Sequence, residues 1–237
     1  MPRNIMPQNG KSPKGRLRGG EGLLHLARPA APAYTHPARA GAFILDWDGV
    51  LADTKLDFKP LRQKYFGGEI VPLIEAASAL PEPARSEVRA EIRRIEMEGA
   101  KNAEAVEGAK DLIAWLSGAG AGAGAEKPWA VVSRNCRDSI LLAAEKCGIA
   151  LPSVLLSRED PHVKPAPEAL ALAAERMGVP LANCVMVGDF VYDMMAANRA
   201  GIPAVLVRSR GADWEDLADF SYATVGDFVE ALRSFSS

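Results

Sequence analysis

Cysteine is scarce in this sequence: three residues, Cys136, Cys147 and Cys184, stand far apart and form no CxxC pair. That argues against a disulfide scaffold and a zinc ribbon. Long apolar runs are missing too, since nothing approaches the roughly 18 consecutive apolar residues that a membrane span needs. No signal-peptide core is visible, so the chain is expected in the cytoplasm, without a membrane partner. A basic surface is also lacking in the body of the chain. The net charge of −2 hides an asymmetry: residues 1–40 hold seven Lys or Arg against Glu21 alone, which leaves 21 basic and 29 acidic residues beyond them. Nucleic acid is therefore not an expected partner. What is present is ordinary globular material, 48% hydrophobic and 24% charged with a mean hydropathy of −0.03, enough to build a core. At 237 residues, the chain fits one large domain or one domain with an insertion.

Residues 1–40 are rich in Pro, Gly, Ala and Arg and show no period of 3.6 or 2; they are expected to be a disordered basic tail. Gly10-Lys11-Ser12 ends like a phosphate loop, but Ile5 stands where such a loop needs glycine. From residue 42 the pattern changes to short apolar runs separated by amphipathic stretches, as in a parallel sheet with helical crossovers. The runs are 42–45, 129–132, 154–156, 185–187 and 204–207, with helices expected near 110–116, 136–147, 167–177, 193–200 and 226–235. Asn135 with Asp138, and Thr224 with Asp227, read as helix N-caps. The fold class is thus α/β with a doubly wound parallel sheet. Residues 46–128 are too long for a simple crossover. Within them Val88, Ile92 and Ile95 recur at helical spacing, with Glu87, Arg89, Glu91, Arg93, Arg94 and Glu96 between them, an amphipathic helix with a solvated charged face. With residues 61–80 this predicts a small helical cap over 56–105, inserted after the first strand of a core domain formed by 41–55 and 106–237. Residues 118–125, alternating Gly and Ala, read as a flexible connector.

Ligands bind at the carboxyl ends of the strands in open α/β sheets, and chemically active residues collect there. The first run ends in Asp46-Trp47-Asp48-Gly49, the second in Ser133, and the fourth in Gly188-Asp189 with Asp193 beyond; Lys164 follows the third. Acids, a hydroxyl and an amine converging on one sheet edge suit phosphoryl transfer, where a nucleophile, a proton donor, a metal and fixed positive charge surround the phosphate.

In order and spacing these motifs resemble the haloacid dehalogenase-like (HAD) hydrolase superfamily over residues 42–235. They read Asp46-Trp47-Asp48-Gly49-Val50-Leu51-Ala52-Asp53-Thr54, Ser133, Lys164-Pro165 and Gly188-Asp189-Phe190-Val191-Tyr192-Asp193. The resemblance implies a Rossmannoid core with Asp46 as nucleophile, forming an aspartyl-phosphate, and Asp48 as the acid and base. It implies phosphate contacts from Ser133, from Lys164 and, where the family often has a small or amide residue, from Arg134. A magnesium ion would be held by Asp46, the main-chain carbonyl of Asp48, Asp189 and Asp193. Asp53 and Thr54 are expected to serve in turn bonding and helix capping, Thr54 with Asp57 at capping-box spacing. An acid at position 48 favours phosphate esters over halides, since an alkoxide needs a proton. The small insertion is similar to that of the phosphoglycolate phosphatase-like branch, and Lys55, Lys59, Arg62, Lys64 and Tyr65 are candidates to contact an anionic substrate. The expected function is a magnesium-dependent phosphatase for a small phosphorylated metabolite. The alternatives are a phosphomutase of the β-phosphoglucomutase type and a non-catalytic binding protein of the same fold. Nothing in the sequence assigns an oligomeric state.

Overall fold

Strand β1 (Ala42–Leu45) is apolar at every position because both of its faces are covered, the condition of a central parallel strand. The computed structural model describes residues 35–119, 124–212 and 214–235. Most of the expected tail, Gly10-Lys11-Ser12 included, lies outside the described residues, as do residues 120–123 of the connector. The end of the tail is a correction: Pro37–Arg39 form a 3-10 turn, Ala38 and Ala40 are buried, and Lys127 Nζ donates to Ala40 O at 2.6 Å. These residues supply apolar surface to the core, which is reason enough for them to be placed.

After β1 come the two-residue strand β2 (Ala52–Asp53) and helices α1 (Lys59–Phe66), α2 (Leu73–Ser78) and α3 (Ala84–Lys101). Next are β3 (Glu104–Ala105), α4 (Ala109–Leu116), β4 (Trp129–Val132), α5 (Arg137–Cys147) and β5 (Val154–Leu156). Helix α6 (Glu168–Met177), β6 (Cys184–Gly188), α7 (Val191–Ala200), β7 (Ala204–Leu206), β8 (Phe220–Ser221) and α8 (Val225–Phe235) complete the described chain. Two compact units result, the smaller spanning Asp57–Glu91 and the larger taking the other described residues, so the boundary falls inside α3.

In the larger unit six strands form one parallel sheet in the order β5-β4-β1-β6-β7-β8. Chain order runs outward from β1 on one side and outward from β6 on the other, so the topological switch point lies between β1 and β6. Side chains alternate across the sheet. Phe43, Leu45, Val131, Val185 and Val187 join one apolar cluster with α4, α5 and α8. Ala42, Ile44, Ala130, Val132 and Met186 join another with α6 and α7. Each fully buried large side chain contributes roughly 1.5–3 kcal/mol. A short antiparallel ladder, β2 with β3, stands apart from the main sheet.

The smaller unit buries Leu61, Leu73, Ala77 and Val88. Of its expected anion contacts, Tyr65 Oη donates to Glu87 at 2.7 Å, Lys64 Nζ lies 4.6 Å from the Tyr65 ring centroid, and Arg62 Cζ lies 5.7 Å from that of Phe58. Lys55 belongs to the larger unit, where it forms an exposed ion pair with Glu104 at 2.8 Å, worth little to stability.

Candidate active site

Asp46 is the first residue beyond β1, and its amide still donates to Val187 O of β6 at 2.9 Å. The two strands on either side of the switch point therefore stay paired up to the first candidate site residue. Asp46 Oδ1 accepts from Trp47 N at 2.7 Å and lies 2.7 Å from Lys164 Nζ. The same ammonium lies 2.6 Å from Asp193 Oδ1, and its side chain is 1% exposed. Burial by itself would lower Lys164, but Asp193 and Asp46 outweigh it and hold the ammonium above its ordinary range. Asp193 Oδ2 accepts from Phe190 N at 3.1 Å, which anchors it at the first turn of α7.

Carboxylate oxygens of Asp46, Asp189 and Asp193 all lie within 4.8 Å of one another. One lysine does not balance that charge. Burial first, and then the charges of Asp46, Asp193 and Asp48, push the Asp189 carboxyl well above the usual carboxylate range. Clustered carboxylate oxygens with surplus negative charge fit a hard divalent cation such as magnesium, which needs few protein oxygens. One consequence is testable on the metal-free protein. Because folding raises the Asp189 carboxyl above its ordinary range, this group's contribution to stability falls as pH rises above about 4. With excess chelator, Asp189→Asn is expected to melt about 2–6 °C above the wild type at pH 7.5. The gain should shrink toward pH 4, and calorimetry showing a pH-independent difference would contradict the charge surplus.

Two glycines make room for these acids. Gly49 has φ +78°, and a Cβ on it would lie 1.9 Å from Asp189 Oδ2. Gly188 does not have the left-handed backbone of a turn; a Cβ there would lie 2.3 Å from the Asp193 side chain. Its smallness serves close approach.

Asp48 is clasped by Thr54, whose Oγ1 and amide both donate to Asp48 Oδ1, at 2.5 and 2.9 Å. The chain doubles back after Gly49, with the Leu51 and Ala52 amides on Trp47 O, and this brings residue 54 to residue 48. Thr54 is therefore not the cap of α1, whose N-cap is Phe58. Burial, opposed by the Thr54 bonds and helped by Asp46, pushes the Asp48 carboxyl up to about 6. An acid in that range can both give and take a proton near neutral pH. Asp53 bonds its local turn through Lys55 N at 3.1 Å.

Ser133 follows β4, and its Oγ accepts from Asn135 N at 3.1 Å. Two amides at the start of α5 are taken up by carboxylates. The Cys136 amide donates to Glu96 at 3.1 Å and the Arg137 amide to Glu159 at 3.0 Å, while Cys136, in place of Asn135, is the N-cap. At α8 the Thr224 cap is present, accepting from Asp227 N at 3.0 Å. The Arg134 guanidinium donates to Lys164 O and lies 4.9 Å from the Tyr192 ring centroid. It thereby joins the segments that carry Ser133, Lys164 and Asp193. Sequence reasoning overlooked Thr54 as a partner of Asp48, for which the turn glycine was the available signal. It also placed Glu96 on a solvated face, whereas Glu96 is buried; no local signal marks it.

A family model described as haloacid dehalogenase-like hydrolase matches residues 40–201, more than half of the chain. The chain belongs to the haloacid dehalogenase-like hydrolase family. Solved structures bear out the family's fold here: a hydrolase from Pseudomonas syringae matches with a TM-score of 0.65 at 19% identity, covering 83% of this chain and 100% of that one. CbbY from Rhodobacter sphaeroides, solved in complex with phosphate, matches with a TM-score of 0.62 at 19% identity, covering 81% and 99%. Among curated proteins, the phosphoglycolate phosphatase of Xanthomonas campestris is 38% identical over 61 residues, 26% of each chain. That of Escherichia coli K12 is 35% identical over 86 residues, 34% of each chain. The chain thus spans about a quarter to a third of the length of these curated relatives. No helix among the described residues is long and apolar enough to cross a membrane.

Proposed function

We propose that this hydrolase is a magnesium-dependent phosphatase that cleaves a small phosphorylated metabolite through an aspartyl-phosphate on Asp46. The observation that carries the reading is the pair of unlike carboxyls two residues apart. Asp46 is held by the Lys164 ammonium at 2.7 Å, whereas Asp48 is bonded by Thr54 and pushed up to about 6. One is fixed as a nucleophile and the other is poised to carry a proton.

Lys164 and the Trp47 amide hold Asp46 Oδ1, which leaves Oδ2 to attack phosphorus. The bond to the leaving oxygen breaks as the new one forms, and Asp48 gives its proton to the departing alkoxide. Water then attacks the phosphorus of the aspartyl-phosphate while Asp48 takes its proton back. The Asp46–phosphorus bond breaks, releasing phosphate and the free carboxylate. Ser133 and Lys164 neutralise and orient the phosphate oxygens, and Arg134 steadies the segments carrying them. Magnesium, held by Asp46, Asp189, Asp193 and the Asp48 carbonyl, would supply further charge neutralisation at the phosphate.

The smaller unit is the proposed cap that selects the substrate. Phosphoglycolate is the first candidate, because the relatives quoted above carry its name. Phosphate release from a panel of phosphoglycolate, sugar phosphates and an aryl phosphate tests the reading, with magnesium and with excess chelator. Magnesium-dependent release is expected. Isomerisation of a sugar phosphate without release would point to a mutase, and full activity in chelator would remove the metal.

A further inference from the structure

Among the charged side chains expected on the solvated face of α3, Glu96 is 2% exposed. It lies in the larger unit, and both of its oxygens are used. Oε1 pairs with Arg158 Nη1, and Oε2 accepts from Cys136 N at 3.1 Å. Arg158 completes a ring, since its own amide donates to Asn135 O at 3.1 Å. The Asn135 carbonyl and the Cys136 amide are the two ends of one rigid peptide unit. Glu96 and Arg158 thus grip a single peptide plane from both sides and are paired to each other.

We infer that Glu96, with Arg158, is a positioning residue that fixes the 133–136 turn so that the Ser133 hydroxyl is presented to the substrate phosphate. The role of phosphate rests on the phosphatase reading; the ordering of the turn does not. Ser133 Oγ accepts from Asn135 N at 3.1 Å, so the hydroxyl proton is left to be donated. Asn135 N, which bonds Ser133 Oγ, belongs to the adjoining 134–135 peptide, and holding the 135–136 peptide at both its carbonyl and its amide limits how far the turn that carries Asn135 N can shift. Glu96 also occupies the Cys136 amide, a donor at the start of α5 that would otherwise compete for the anion. Stability alone does not call for this arrangement, because a well-packed apolar pair serves a buried site as well as or better than an ion pair. What an apolar pair could not do is accept from the Cys136 amide at one end of the peptide while pairing with the residue whose main-chain amide holds the other.

The test combines two measurements on the full chain. One is the inhibition constant of inorganic phosphate against aryl phosphate hydrolysis. The other is amide hydrogen exchange over residues 133–140 without ligand. Both are made in the wild type, Glu96→Ala, Glu96→Gln, Ser133→Ala and the double variant Glu96→Ala/Ser133→Ala. Glu96→Ala is expected to weaken phosphate binding about tenfold, with faster exchange confined to the turn. Glu96→Gln, which can still accept from Cys136 N, should restore most of the loss. In the Ser133→Ala background the Glu96 substitution should change little, because it acts through that hydroxyl. Wild-type exchange and phosphate affinity in a folded Glu96→Ala overturn the inference, as does an equal loss with and without Ser133. If Glu96→Ala does not fold, Glu96→Leu, which fills the space but accepts nothing from Cys136 N, takes its place, and unchanged phosphate affinity there is equally fatal. A wild type that neither hydrolyses the aryl phosphate nor binds phosphate overturns the phosphatase reading instead. The exchange data then decide by themselves whether Glu96 orders the turn.

Discussion

Asp46→Asn is expected to leave the fold unchanged and to lower aryl phosphate hydrolysis by about 10⁴-fold or more. Asparagine keeps the shape and an oxygen that can accept from Lys164 and Trp47 N, the two donors 2.7 Å from Asp46 Oδ1, so the loops have no cause to move. What it loses is the anionic oxygen proposed to attack phosphorus. Acid-quenched wild-type protein should carry phosphate on the peptide containing Asp46, and the variant should not. Asp48→Asn gives the complementary result. An aryl leaving group needs little help from a proton donor, so the phosphoenzyme still forms. Water activation is lost, so it accumulates. Substantial turnover by Asp46→Asn, or phosphoenzyme on another residue, would remove Asp46 as the nucleophile.

Lys164→Met is expected to produce the largest loss of stability, about 3–5 kcal/mol, since removing one partner of a buried ion pair leaves charge uncompensated. The ammonium is 1% exposed and touches two carboxylates, at 2.7 and 2.6 Å. Methionine fills the space but leaves Asp46, Asp189 and Asp193 within 4.8 Å of one another with no cation. The melting temperature should fall by about 10 °C at pH 7.5 in chelator. The pH dependence follows from the directions of the shifts. Lys164 is held above its ordinary value, so its contribution is present throughout the range below about 10 and is lost only above it. Asp193, pushed up to about 6 by burial and by the charge of Asp46, protonates as the pH falls through that value, after which there is less charge to compensate. The deficit of Lys164→Met should therefore be smaller at pH 4.5 than at pH 7.5, and magnesium should recover part of it at the higher pH. Calorimetry at the two pH values checks this, and an equal deficit at both would reduce Lys164 to a packing role. The opposite sign predicted for Asp189→Asn makes the pair a direct measure of the charge surplus.

The strands of the main sheet were legible because parallel strands buried on both faces are written as unbroken apolar runs. Expected and observed strands agree within a residue at β1, β4, β5, β6 and β7. The edge strand β8 and the β2–β3 ladder have two residues per strand, too few for any period to register. The acids and Lys164 were legible for a different reason, as motifs placed at strand ends. Glu96 and Glu91 look alike in sequence, each beside an isoleucine on the same amphipathic helix. Only Glu96 meets Arg158 and the Cys136 amide.

By itself the sequence determined the class of fold, the positions of its strands and the stock of acids, hydroxyl and amine at their carboxyl ends. These are local properties: burial on two faces shows as a run, and strand ends are where side chains become available to ligands. The tertiary structure alone decided that β1 lies beside β6, which brings Asp46 to Asp189 and Asp193 across some 140 positions of chain. It alone seated Lys164 between two carboxylates, turned Thr54 back onto Asp48, and gave the amides at the start of α5 to Glu96 and Glu159. The physical reason is that a charge or a hydrogen bond acquires its strength from what surrounds it. Burial and partners are supplied by segments far away in sequence, and no local pattern records them.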